Sequence, residues 1–353
     1  MQPIYFDHAA TTQVLPEAAQ AALTAMREEY GNPSSQYALG KRAAQALAAH
    51  REAVAQALGC RAGEVYFTSG GTEGDNWAVS LAAHLGRHRG KHIITTAVEH
   101  AAVLEPCKAL ESQGYEVTYL TPGPDGRVRL ADLEAALRPD TVLVSMMLVN
   151  NETGAIQPVK EAGQVLRRCR SQALLHTDAI QGFLKIPFTP KALGVDLLTV
   201  SGHKIGAMKG SGALYLRAGL RAVPLLRGGG QEKGLRSGTE PTPQIAALAA
   251  ACTLGKAALE DHRAYLADLK AHALDAFRRE VPGLVVVAEG QAPHICAISL
   301  PGYPSQVVVR WLSDQGFCLS AGSACHRGQA SHVYAAMGLS KPVRDGMLRV
   351  SFG

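Results

Sequence analysis

The chain of 353 residues is defined first by what it does not contain. No low-complexity tract, internal repeat or long run of like charge interrupts it, so nothing points to a disordered tail or a solenoid. No stretch of about 20 apolar residues could span a bilayer. The opening segment, Met1 to Asp7, lacks a basic region followed by an apolar core, so no signal peptide is expected and the cytoplasm is the expected compartment. The seven cysteines (60, 107, 169, 252, 296, 318 and 325) include no C-x-x-C pair, which argues against a structural metal site. An odd, scattered set fits a reducing environment in which most thiols are small buried hydrophobes. There is neither a Walker loop nor a G-x-G-x-x-G. The net charge of +5, from 35 basic and 30 acidic residues, is slight and dispersed. The nearest thing to a basic patch, Arg217, Arg221 and Arg227, reads as a solvated face, so no nucleic-acid partner is expected.

What remains is a globular composition, 47% hydrophobic and 18% charged, long enough for two domains. Short apolar runs at 65–68, 92–95, 142–146, 174–177 and 197–200 alternate with helical stretches near 72–84, 100–113, 130–137 and 158–171. That alternation predicts an α/β fold with a mostly parallel sheet covered on both faces. After Pro243 the texture changes. Two Ala-rich helices (243–259 and 262–279) precede strands near 284–288 and 295–300, a helix near 304–315, and strands near 317–320 and 347–351. The expectation is a large domain over 15–245 and a smaller α+β domain made of 1–14 and 246–353.

Five segments could carry chemistry. Thr68-Ser69-Gly70-Gly71-Thr72-Glu73 follows a strand and opens a helix, where small residues and free N–H groups suit an anion, although an ordinary glycine turn looks the same. Asp178 ends an apolar strand, the place where open α/β sheets bind ligands, but it could equally be a loop-capping carboxylate. Lys204, in Ser201-Gly202-His203-Lys204, also lies just past a strand, poised for Schiff-base chemistry or merely snorkelling from a loop. The glycine-rich stretch 228–239 carries Glu, Lys and Arg among its glycines, which favours a backbone held against something over a floppy linker. Cys325 follows small residues and precedes His326 and Arg327, positive neighbours that make a thiol reactive. A hydrolase pairing Cys325 with His326 is disfavoured, because adjacent side chains rarely reach each other in the required geometry.

Taken in order, these segments resemble the cysteine desulfurases of the class V aminotransferase family. The resemblance runs from Phe6-Asp7-His8-Ala9-Ala10-Thr11-Thr12 and Gly31-Asn32-Pro33-Ser34-Ser35 to Leu348-Arg349-Val350-Ser351-Phe352-Gly353. Between them stand Thr-Ser-Gly-Gly-Thr-Glu at 68–73, Val-Glu-His at 98–100, Val-Asn-Asn-Glu-Thr-Gly at 149–154, Asp178 with Gln181, Ser-Gly-His-Lys at 201–204, Arg-Ser-Gly-Thr at 236–239 and Gly-Ser-Ala-Cys at 322–325. The resemblance implies a fold-type I enzyme dependent on pyridoxal 5'-phosphate, acting as a homodimer without a metal. By the same token, Lys204 holds the cofactor covalently, Asp178 keeps its ring nitrogen protonated, and His100 stacks on the ring and moves protons. Asn151 and Gln181 bond the phenolic oxygen or its surroundings. Gly71, Thr72, Ser201 and His203 take the phosphate, with Thr239 reaching the site of the neighbouring subunit. Arg349 pairs with the substrate carboxylate, and Asn151 and Asn32 complete the substrate pocket. L-cysteine would become alanine, leaving a persulfide on Cys325 for an acceptor or scaffold protein of iron–sulfur cluster assembly, nitrogenase maturation or tRNA thiolation.

The departures are few. Gln36-Tyr37-Ala38 stands where the family often has a histidine, and Gly71 and Gly74 replace the commoner alanine and serine. The chain stops four residues after Arg349, where relatives usually continue into a further helix. Other class V reactions, such as transamination or selenocysteine lysis, need Lys204 and Asp178 but no protein thiol. A non-catalytic scaffold would be expected to have lost the lysine or the cysteine, and both are present.

Overall fold

The structure is a computed structural model that describes residues 3–322 and 331–353. Its strands are β1 (Ile4–Tyr5), β2 (Val65–Thr68), β3 (His92–Thr96), β4 (Glu116–Leu120), β5 (Thr141–Ser145), β6 (Leu174–Asp178), β7 (Leu197–Ser201), β8 (Gly212–Leu216), β9 (Val285–Ala288), β10 (Ile295–Ser299), β11 (Phe317–Cys318) and β12 (Met347–Ser351). The helices that matter below are α1 (Pro16–Arg27), α2 (Ala38–Leu58), α3 (Gly71–Gly86), α4 (Ala101–Glu111), α5 (Leu130–Ala136), α6 (Val159–Arg168), α7 (Pro190–Leu193), α8 (Thr242–Ala257) and α9 (Leu259–Glu280).

Seven strands form the main sheet in the order β2-β8-β7-β6-β5-β3-β4. All run parallel except β8, which is antiparallel to both β2 and β7. The apolar runs are continuous because successive residues feed two different cores. Leu143, Leu174 and Leu197 pack with Trp77 and Val103 of α3 and α4. Their neighbours Val144, Leu175 and Leu198 pack with α1, α2, α5, α6 and α8 on the opposite face. Side chains alternate across a strand, so a sheet covered on both faces must be apolar at every position.

Two strands of the main sheet escaped the sequence reading. β4 is an edge strand whose exposed-to-intermediate residues lack a full apolar run. β8 is buried throughout, but follows directly on the glycine-rich turn after Lys204. Beyond the main sheet, β12-β10-β9 is antiparallel and β1 pairs in parallel with β11. The chain's first strand thus lies among its last ones. Bridges from Asp7 to Ser351 and from Ser320 to Arg349 join these small sheets. A division at residue 245 cuts through α8, whose Ala247, Leu248 and Ala251 are wholly buried in the core beneath the main sheet.

Candidate active site

The carboxyl ends of the parallel strands point to one side, and β2, β3, β6 and β7 each lead there to a candidate residue. β2 ends at Thr68 and turns through Gly70 (φ +147°) into α3. Glycine is needed at that left-handed position, and Gly71 lies so close to the sheet that a methyl there would sit 2.1 Å from Ile180 Cδ1. After β3, His100 caps α4, its Nδ1 accepting the Ala102 N–H at 3.1 Å. β6 ends at Asp178, which is 5% exposed and whose Oδ1 accepts the Ile180 N–H at 2.9 Å. β7 ends at Ser201, followed by the single 3-10 turn Gly202–Lys204.

These residues surround a cavity of about 230 Å³. It is lined by Ala9, Ala10, Gly71, Thr72, His100, Met147, Asn151, Asp178, Ile180, Gln181, Ser201, His203, Lys204 and Arg349. Two larger concavities, of about 900 and 560 Å³, contain none of the candidates. The larger follows the opposite end of the sheet, where β6 and β7 begin.

The N-terminal segment closes the cavity over the lysine. Lys204 Nζ donates to the carbonyls of Ala9 (2.6 Å) and Ala10 (2.7 Å), and Gln181 Nε2 donates to the Ala9 carbonyl at 2.9 Å. Thr12 stitches the same segment to the turn: its N–H and hydroxyl donate to the His203 carbonyl, and its Oγ1 accepts the Gly206 N–H. The motif at 6–12 was visible in the sequence, but its role as a carbonyl lid was not, since main-chain acceptors leave no mark in residue identity.

Arg349 forms the far wall. It is 1% exposed, with Nη2 on Asp7 Oδ1 at 2.7 Å and Nη1 donating to the Asn151 carbonyl at 2.9 Å. Its Nε is buried and has no hydrogen-bond partner among the described residues, on a side chain that lines the cavity. Arg349 is held in place within the β12–β10 pair, opposite Ala297.

The electrostatics follow from burial. Asp178 is pushed up to about 6 by desolvation, against the hydrogen bond from Ile180 and the charge of Lys204. The His203 ring is lowered to about 4 by burial and by the neighbouring Lys204 and Lys209. Behind Asp178 lies a layer that sequence reasoning missed. His176 is fully buried, 2.8 Å from Ser145 Oγ and 3.5 Å from Asp75 Oδ1, and burial lowers it to about 3, so it is neutral. Glu99, in the turn before His100, is pushed up to about 8, mainly by burial. The signal was available: polar residues within otherwise apolar strands and turns mark the layer beneath a site.

Two predicted residues do not meet at the cavity, and a third lies outside the described residues. Asn32 is exposed, and its Oδ1 accepts the Ser34 N–H in a local turn. Thr239 is exposed at the end of the glycine-rich stretch and does not line the cavity. Cys325 lies outside the described residues, and the described part of its loop reaches as far as Gly322. Among the described residues no cluster suited to a metal occurs.

Comparison with known proteins gives a consistent picture. A family model described as aminotransferase class-V matches residues 4–353. A relative from Methanosarcina thermophila named cysteine desulfurase IscS is 40% identical over 368 residues, covering 99% of this chain and 87% of that protein. A solved structure of a NifS-like protein superposes with a TM-score of 0.94 at 35% identity, covering 99% of this chain and 94% of the other. Another, SspA in complex with cysteine, superposes with a TM-score of 0.86 at 33% identity over 99% and 98% of the two chains.

Proposed function

This chain belongs to the aminotransferase class-V family, and from that premise we propose that it is a pyridoxal-phosphate cysteine desulfurase. It converts L-cysteine to L-alanine and leaves the sulfur as a persulfide on Cys325. The observation that carries the reading is the meeting of Asp178, Lys204 and Arg349, from three separate parts of the chain, around one cavity.

The residues present fit the cofactor. Asp178 is a buried carboxyl with no cation in hydrogen-bond contact among the described residues, suited to the protonated ring nitrogen. The start of α3 offers N–H groups at Gly71 and Thr72 beside Ser201 and His203, a cradle for phosphate. Lys204 stands ready to hold the aldehyde, its Nζ tethered by two carbonyls. Asn151, Gln181 and His100 complete the lining. When bound, pyridoxal phosphate supplies an electron-accepting ring that stabilises negative charge on the substrate carbon.

The remaining steps fall to the chain's own groups. Arg349 orients the substrate carboxylate through a planar, bidentate donor, using the Nε that has no partner among the described residues. Lys204 and His100 move protons at the substrate carbon. The Cys325 thiolate attacks the substrate's sulfur. An S–S bond forms and the C–S bond breaks, and its electron pair stays on carbon, which takes up a proton to become alanine's methyl group. The outer sulfur of the persulfide then passes to an acceptor, regenerating the Cys325 thiol, and for that acceptor we propose a protein of iron–sulfur cluster assembly or tRNA thiolation.

A homodimer is part of the same proposal: it is the arrangement in which the exposed Thr239 reaches a neighbour's phosphate site. A cytoplasmic location accords with six free cysteines among the described residues and with no described helix long and apolar enough to cross a membrane. We also propose two domains, with α8 kept on the large side because its buried face belongs to that core.

The test is direct. Cofactor-loaded protein given L-cysteine and a reducing thiol forms alanine and sulfide in step, and Cys325→Ser abolishes both. Alanine formation that survives Cys325→Ser, or none from the loaded wild type, would overturn the assignment.

A further inference from the structure

The glycine-rich stretch 228–239 grips the turn between β2 and α3 from both sides. On one side Glu232, 6% exposed, accepts two bonds from Arg51 (2.7 and 2.6 Å) and the N–H of Phe67 at 3.0 Å, while the Arg51 guanidinium lies 4.5 Å over the Phe67 ring. Glu232 and Lys233 adopt left-handed backbone (φ +49° and +60°), which side-chain-bearing residues take up only when their surroundings impose it. On the other side Arg236 reaches Glu73 in the first turn of α3, with Nε 2.8 Å from Oε1 and Nη2 3.1 Å from Oε2. Glu73 Oε2 also accepts the Ser69 N–H at 2.9 Å. Both side chains of this pair are largely buried, 16% and 11% exposed.

Glu73 poses an electrostatic problem. Burial alone would raise its carboxyl, but bonds from Arg236 and Ser69 outweigh burial and hold it below its ordinary value, so it is charged. It also spends the positive end of the helix that the phosphate cradle relies on. An uncompensated carboxylate there would repel a phosphate dianion through a medium of low dielectric. We propose that Arg236 is a positioning residue of the phosphate cradle. It neutralises Glu73 and ties it to the strap, so that the turn at 69–72 accepts a doubly negative group. This rests on the pyridoxal-phosphate reading.

The test uses apo-protein and two probes, pyridoxal 5'-phosphate and pyridoxal, which lacks the phosphate. Arg236→Gln is expected to weaken pyridoxal 5'-phosphate binding by about tenfold or more while leaving pyridoxal binding nearly unchanged. Adding Glu73→Gln recovers most of that loss, and Arg236→Lys retains most of the affinity. Thermal melts of the apo-variants establish that each is folded. Equal losses for both probes, a double variant no better than Arg236→Gln, or wild-type affinity in Arg236→Gln would each overturn the proposal. A wild type that binds neither probe would sink the pyridoxal-phosphate reading itself, and is read from the same titration.

Discussion

The two walls of the cavity are built by different means. On the sheet wall, Gly71, Asp178, Ser201 and Lys204 each lie within a few residues of the end of an apolar strand, so the strand that carries the core also delivers the functional group. On the opposite wall, Ala9, Ala10, Asn151 and Arg349 come from distant parts of the chain. The Arg349–Asp7 ion pair spans 342 positions and the Lys204 bond to Ala9 spans 195. The sheet wall inherits its rigidity from the main core. The far wall depends on a few polar bonds between the two ends of the chain, and so is the part that substitutions can loosen without unfolding the rest.

Breaking the sheet wall should cost the chemistry. Lys204→Ala is expected to reduce alanine formation by about a thousandfold or more and to leave the cofactor removable by gel filtration, with the melting temperature of the apo-protein little changed. Breaking the far wall should cost stability instead. Asp7→Asn leaves the buried Arg349 without its counter-charge and is expected to cost about 3 kcal/mol in chemical denaturation. Carboxylate ligands should restore part of that loss by replacing the missing partner.

The smallest effect lies beneath the site. Glu99 (about 8) and Asp178 (about 6) both hold protons more tightly in the folded chain than carboxyls ordinarily do, chiefly through burial. Their contribution to apo-protein stability is therefore greatest below pH 4 and falls as pH rises towards 8. Glu99→Gln should flatten that decline, raising the melting temperature at pH 8 relative to pH 5 by about 2–4 °C. An unchanged slope would mean that Glu99 is not titrating in this range.

The contrast also explains what could be read in advance. The places of Asp178 and Lys204 beside the cavity were legible because each lies at or just past the end of a buried apolar strand, although the residues alone left an ordinary loop role open for both. The glycine-rich stretch was legible as held rather than floppy, and the Arg51–Glu232 and Arg236–Glu73 pairs are what hold it. The lid over Lys204 was not, because carbonyls of Ala9 and Ala10 carry no side-chain signature. Nor was the Asp75–His176 layer, whose meaning depends on α3 crossing β6. The edge strand β4 has too few buried residues to announce itself, and the antiparallel β8 gives no sign of its direction in its composition.

The central claim is that sulfur leaves cysteine for one particular thiol. The most direct measurement is a peptide mass map of the cofactor-loaded protein after a brief exposure to L-cysteine, without reductant. One added sulfur atom is expected on the peptide containing Cys325 and none on peptides carrying the other six cysteines. Alanine produced while Cys325 remains unmodified, or the extra sulfur found on another cysteine, would contradict it.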